Sequence, residues 1–209
     1  MRKRLATARL YFIVGPRDRV PPAELVRAAI VGGAAVVQYR DKHSQDAEFA
    51  AAARIVGEVC REFGVPFLVN DRAHLMEDCR AHGVHLGEAD ATPEEVRERF
   101  GSDCLIGLST HDRTEAAGAN ARGADYIGLG PMFQTGTKTL TRKPGGADLL
   151  RTIAGATELP VFPIGGISET NLPALIAAGA TRVAVSSAIA DARDPTAAAR
   201  KIRSLLPPL

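Results

Sequence analysis

Eight short apolar runs, separated by stretches of helical texture, constrain this chain more than any other feature. The runs lie at 10–14, 35–39, 66–69, 83–86, 105–108, 126–129, 161–164 and 183–185. Between them, 23–31, 46–63, 91–100, 169–178 and 195–205 carry apolar residues at helical spacing. Within 91–100, Thr92 suits a helix cap and Pro93 the first helical position. Strands alternating with helices build parallel βαβ units. An open doubly wound sheet usually has fewer strands and a switch in strand order. Eight even repeats therefore predict a single (β/α)8 barrel over 1–209, an α/β fold with no linker and no second domain.

Composition bounds what such a barrel can do. At 209 residues the chain can bury roughly 70% of its unfolded surface. Its 45% apolar and 24% charged residues are those of an ordinary globular domain. A net charge of +2 gives no nucleic-acid footprint, and no apolar run reaches the ~20 residues of a membrane helix. The start, MRKRLATARLYFIV, lacks a long apolar core and a cleavage site, so it reads as a short leader into the first strand. Three cysteines without CxxC spacing read as reduced thiols of a cytoplasmic protein.

In this fold, functional groups gather just past the C-terminal ends of the strands. Those positions hold QYRDK (38–42), Asn70 and Asp71, His85 and then GEAD ending at Asp90, and Ser109, Thr110 and His111. The sixth run continues as DYIGLGPMFQTGTK (125–138); the last two end in Gly165, Gly166, Ile167 and Ser168, and in Ser186 and Ser187.

Three groups emerge. Residues two apart in a strand share a face, so Gln38, Arg40 and Lys42 can point together, and with Lys138 they suit a phosphate or diphosphate. Asp71 and Asp90 follow adjacent strands, which lie roughly 4.8 Å apart, and two such carboxylates suit Mg2+ shared with substrate phosphates. They could equally be an acid/base pair, or a helix cap before 72–79 and a turn residue. Third, Gly165 and Gly166 with Ser186, Ser187, Thr135 and Thr137 suit a monophosphate held by backbone N–H groups and hydroxyls. His85 fits hydrogen-bonded packing as well as a general base, and His111 is similarly open. His43, His74 and His82 show no metal-ligand spacing with the cysteines.

The segments VQYRDK, VNDRAHL, GVHLGEAD, IGLSTH, ADYIGLGPMFQTGTK, PIGGIS and VAVSSAI, in this order from about Tyr11 to Ile189, resemble the successive motifs of the thiamine-phosphate synthase family. The resemblance implies a cytoplasmic transferase of thiamine biosynthesis. It would join the diphosphate of 4-amino-5-hydroxymethyl-2-methylpyrimidine to a thiazole phosphate, releasing diphosphate. It further implies that Gln38, Tyr39, Arg40, Asp41, Lys42, Asn70, Ser109 and Lys138 hold the pyrimidine diphosphate, with Arg40, Lys42 and Lys138 as the catalytic cations. Asp71 and Asp90 would hold Mg2+, and Thr135, Gly136, Thr137, Gly166, Ser186 and Ser187 the thiazole phosphate. Its partners would be these small molecules, with no nucleic acid and no membrane, in a chain free to form a homo-oligomer.

Two places depart from the family pattern. Gly136 stands where a lysine is frequent, and the segment 139–146 has no assigned role. Three other readings remain at this point: a thiazole tautomerase needing only the monophosphate side, another phosphate-binding isomerase or epimerase, and a phospholigand sensor without catalysis.

Overall fold

A computed structural model describes residues 1–16, 20–135 and 142–209. Eight strands follow one another: β1 (Leu10–Val14), β2 (Val36–Tyr39), β3 (Phe67–Asn70), β4 (Gly83–Leu86), β5 (Leu105–Thr110), β6 (Tyr126–Leu129), β7 (Val161–Pro163) and β8 (Val183–Val185). All are parallel, in the order β7-β6-β5-β4-β3-β2-β1-β8, and a parallel bridge from Ile164 to Ala184 brings the two ends together. The expected (β/α)8 barrel is thus the fold. Its helices are α1 (Arg2–Thr7), α2 (Pro22–Val31), α3 (Asp46–Glu62), α4 (Pro93–Phe100), α5 (Arg113–Gly118), α6 (Gly146–Thr152), α7 (Leu172–Ala177), α8 (Ser187–Ala190) and α9 (Pro195–Leu205).

The period of two sorts every strand into an inner and an outer face. The inner set includes Tyr11, Ile13, Val36, Leu68, Leu105, Tyr126, Phe162 and Ala184, which form one buried cluster. The outer set, including Phe12, Val37, Tyr39, Phe67, Val69, Ile106 and Ile127, packs against helix residues such as Val26, Phe49 and Leu172 in a second. At the barrel centre the rings of Tyr11, Tyr126 and Phe162 meet edge to face at 5.4–5.7 Å, the favourable arrangement for aromatic quadrupoles. Gly107 makes room for this: a Cβ there would lie 2.1 Å from Cζ of Tyr126.

The structure adds to one local expectation and changes two others. The leader is a helix: α1 sets buried Leu5 beside the inner cluster at the N-terminal end of the barrel, and Arg2 Nε donates to Asp125 Oδ1 at 2.6 Å. The stretch 72–79 contributes only a 3-10 turn, Ala73–Leu75. Arg72 is drawn into tertiary contacts there, to Asp46 at 2.6 Å, to the Ser44 carbonyl at 2.7 Å and over the Phe49 ring. Helix α7 starts late because the Asn171 side chain accepts from Ser168 N–H and donates to the Gly166 carbonyl, both at 2.8 Å, holding 168–171 as a turn. The cap at Thr92 forms as expected, reciprocated by Glu95.

Leu5→Ala empties a fully buried site at the barrel floor. The loss of packing is expected to cost about 2–4 kcal/mol and to lower the melting temperature by roughly 5–15 °C, with the circular dichroism of the folded protein unchanged. Calorimetry alongside circular dichroism checks both.

Candidate active site

Strand alternation delivers the polar residues to the barrel mouth. Val36 and Gln38 face inward on β2, so Arg40, one period further, emerges above them. It lines a cavity of about 940 Å³, whose walls also include Lys42, His85, Ser109, Thr135, Gly166, Ser186 and Ser187. The two neighbours of Arg40 are engaged elsewhere. Tyr39 packs its ring 5.0 Å from Phe49, in the layer between strands and helices. This places its side chain away from the cavity. Asp41 touches the cavity but uses its carboxylate to hold the loop, accepting from the N–H groups of His43 (2.9 Å) and Ser44 (3.3 Å). Burial would raise its pKa; those bonds and Arg72 leave it below the usual value.

Asp71 and Asp90 do come together. Asp71 sits just past β3 in the left-handed region, with φ of 62°, which is uncommon outside glycine. Its N–H donates to the His85 carbonyl at 2.9 Å, pinning it to the top of β4. That conformation excludes the helix cap the sequence left open. Asp90 Oδ2 accepts from Gly87 N–H at 2.7 Å, folding the loop after β4 back on itself. The pKa of Asp90 is raised, first by burial and then by the bond to and charge of Asp71; the Gly87 bond and Lys42 offset this in part. Lys42 Nζ stands 3.0 Å from Asp71 Oδ2.

Two crowded carboxylates with a cation beside them form a hard-oxygen donor pair whose mutual repulsion a divalent cation would relieve. Among the described residues no cluster of three or more His, Cys, Asp or Glu could hold a metal by itself. The pair therefore fits Mg2+, which binds through one or two carboxylates and completes its sphere with water and phosphate oxygens.

The opposite wall is small and polar. Gly166 has φ of +64°, and a Cβ there would sit 2.1 Å from the Gln134 carbonyl oxygen, so only glycine fits. Ser186 and Ser187 lead into α8 beside it. Gly136, Thr137 and Lys138 lie outside the described residues. Two members of the expected pyrimidine group are buried below the mouth: Gln38, whose Nε2 donates to Tyr11 Oη at 2.8 Å, and Asn70, at the end of β3 opposite His85. His85 packs and hydrogen-bonds at once, reaching Ser109 Oγ through Nε2 at 3.1 Å and Tyr126 Oη through Nδ1 at 2.9 Å. His111 also lines the cavity and is tied to the Gly130 carbonyl through Nδ1.

Sequence reasoning missed Arg142. It lines the cavity and pairs with Glu115 at 3.3 Å and Glu88 at 3.8 Å, linking the segment after β6 to the first turn of α5 and the loop after β4. It also missed Tyr11 and Tyr126. The available signal was a tyrosine at an inward-facing strand position, where a buried hydroxyl must find a partner.

A family model for thiamine monophosphate synthase matches residues 10–189. This chain belongs to that family. It is 40% identical to a thiamine-phosphate synthase of Vibrio parahaemolyticus, over 95% of this chain and 98% of the other. It is 43% identical to one from Thermosynechococcus vestitus, over 96% of this chain but only 56% of that longer protein. A solved thiamine phosphate pyrophosphorylase from Pyrococcus furiosus superposes with a TM-score of 0.84 at 32% identity, covering 96% of each chain. A 3-hexulose-6-phosphate synthase, at 15% identity and a TM-score of 0.68, shares the fold alone. The family found is the one the motifs resembled, and with it the expectation of a transferase of thiamine biosynthesis is borne out.

Asp90 supplies a test of the crowded pair. With its folded pKa above the ordinary 3.8, ionising it costs the folded chain stability as pH rises through the raised value, whereas nothing is lost below 3.8. Asp90→Asn keeps an acceptor for Gly87 N–H and removes the charge. In the presence of a chelator, the variant is expected to melt above wild type at pH 7, with the gap closing as the pH falls below 3.8. Thermal melts across that range check the sign.

Proposed function

We propose that this chain alone joins 4-amino-2-methyl-5-(diphosphooxymethyl)pyrimidine to thiazole phosphate, giving thiamine phosphate and diphosphate in the cytoplasm. The observation that carries the reading is a single cavity with two unlike anion-binding walls. One presents Arg40 and Lys42 beside the Asp71–Asp90 pair; the other presents Gly166, Ser186, Ser187 and Thr135. A diphosphate with a divalent cation suits the first, and a monophosphate the second.

Each wall has one task. Departure of the diphosphate breaks a C–O bond with the electron pair leaving on oxygen. Arg40 and Lys42, with Lys138 as a proposed third cation, balance the charge that develops there. Mg2+ held by Asp71 and Asp90 would supply further neutralisation of that charge. The electron-rich aminopyrimidine stabilises the methyl cation left behind. The thiazole nitrogen then donates its lone pair to the same carbon, and the phosphate contacts of the second wall aim it. No protein nucleophile is required. The thiols are poorly suited to be one: Cys60, Cys79 and Cys104 are all buried, and burial pushes Cys60 up to about 12 and Cys79 up to about 11.

The direct test is a product assay with both substrates, with and without a chelator. Thiamine phosphate and diphosphate appearing together, and only with divalent metal, supports the reading. Binding of thiazole phosphate without product refutes it and returns the site to a tautomerase or sensor. Arg40→Ala, Lys138→Ala and Asp71→Ala are each expected to lower kcat/KM on the order of 10²–10³ with unchanged circular dichroism. Near-normal rates in all three would overturn the assignment of the diphosphate wall.

A further inference from the structure

A chain of hydrogen bonds runs up the inside of the barrel to the cavity. Gln38 Nε2 lies 2.8 Å from Tyr11 Oη, Tyr11 Oη 2.8 Å from Tyr126 Oη, Tyr126 Oη 2.9 Å from His85 Nδ1, and His85 Nε2 3.1 Å from Ser109 Oγ. The links come from β2, β1, β6, β4 and β5 in turn. The sequence makes room for it. A Cβ at Gly107 would strike the Tyr126 ring, and one at Gly128 would press within 3.1 Å of His85 Cε1. Tyr11 and Tyr126 are fully buried, and Gln38 nearly so, so no water competes for these bonds. Burial also pushes both phenols well above their ordinary pKa, which keeps their protons in place.

Each hydroxyl carries one proton and can accept more than one bond; Gln38 also reaches Tyr126, and the order that leaves no buried proton without an acceptor follows from the first bond. Gln38 donates through its amide nitrogen and makes Tyr11 an acceptor. The Tyr11 proton therefore goes to Tyr126, and the Tyr126 proton goes to His85 Nδ1. A neutral imidazole with Nδ1 accepting carries its proton on Nε2, which donates to Ser109 Oγ. Ser109 then has its own proton left to give, and its side chain is on the cavity wall.

We propose that Gln38, Tyr11, Tyr126 and His85 act as positioning residues that set Ser109 as a hydrogen-bond donor toward the cavity, so that the aromatic ring bound there must present an acceptor nitrogen rather than an amino group. A buried donor facing the wrong partner is left unpaired and costly, which is how such a chain discriminates. This specifies the ring of the substrate proposed above and rests on that reading for the ring's identity. The proton order itself does not depend on it.

The proton order is read without substrate by 15N NMR of the full chain labelled at its five histidines, with His85 assigned by the loss of its signals in His85→Asn. The expected result is a neutral ring with Nε2 protonated and Nδ1 bare. The opposite tautomer, or a doubly protonated ring, overturns the proposal. Tyr126→Phe removes the donor to Nδ1, and the His85 signals are expected to move to those of a ring exchanging between tautomers. Wild-type signals in a folded Tyr126→Phe protein contradict the chain, and the wild-type tautomer decides alone if that variant does not fold.

A substrate series completes the test. Pyrimidine diphosphates with each ring nitrogen replaced in turn by C–H are compared as substrates of wild type and Ser109→Ala. One analogue is expected to lose about 10–100-fold in kcat/KM with wild type and to show no such loss with Ser109→Ala. If no analogue shows a penalty that depends on Ser109, the donor role is wrong even where the tautomer is right. A failed product assay with the expected tautomer would instead sink the function and leave the proton order standing.

Discussion

Closure of eight parallel strands is the constraint from which the rest follows. A closed barrel leaves each strand residue only two directions, inward to a narrow centre or outward to the helices, and the period of two assigns them alternately. The centre has room for three aromatic rings only because glycine at 107 yields space to Tyr126. Residues that continue the inward series beyond the last turn of a strand have nowhere to go but the mouth. Arg40 follows Val36 and Gln38 in this way, and Ser109 follows Leu105 and Gly107. The active-site composition is thus a consequence of strand register as much as of the loops.

The same alternation explains what was legible in the sequence. Eight apolar runs at even spacing marked the strands nearly to the residue, because buried parallel strands are short and uniformly apolar. The cation and carboxylate groups were legible because this fold concentrates chemistry at one end of the strands. Tyr39 shows the limit: it adjoins Arg40 in sequence, yet alternation sends its ring to Phe49 on the other side of the sheet. The helix that the sequence left open at 72–79 did not form because Arg72 finds Asp46, Ser44 and Phe49, contacts across 23 to 28 positions of sequence that no local pattern encodes. Arg142 was illegible for the same reason, since its partners Glu88 and Glu115 are remote in sequence.

The mouth is organised by electrostatic asymmetry. On one side charge is concentrated and partly frustrated, with Asp90 held against Asp71 and relieved in part by Lys42. On the other stand neutral hydroxyls and glycine backbone. The hydrogen-bonded chain from Tyr11 through Tyr126 and His85 reaches the same cavity at Ser109. That division matches a reaction in which a highly charged group must leave, an aromatic ring must be held in a set orientation, and a second, singly phosphorylated reactant must approach from across the cavity.

The central claim is that one wall is built for a diphosphate with a divalent cation. Calorimetric titration of inorganic pyrophosphate tests it most directly, with and without Mg2+, into wild type and Asp71→Ala. The account requires binding to wild type that strengthens at least tenfold with Mg2+, and an Asp71→Ala protein that gains nothing from the metal. Pyrophosphate binding indifferent to Mg2+ in wild type, or equally metal-dependent in the variant, would contradict it.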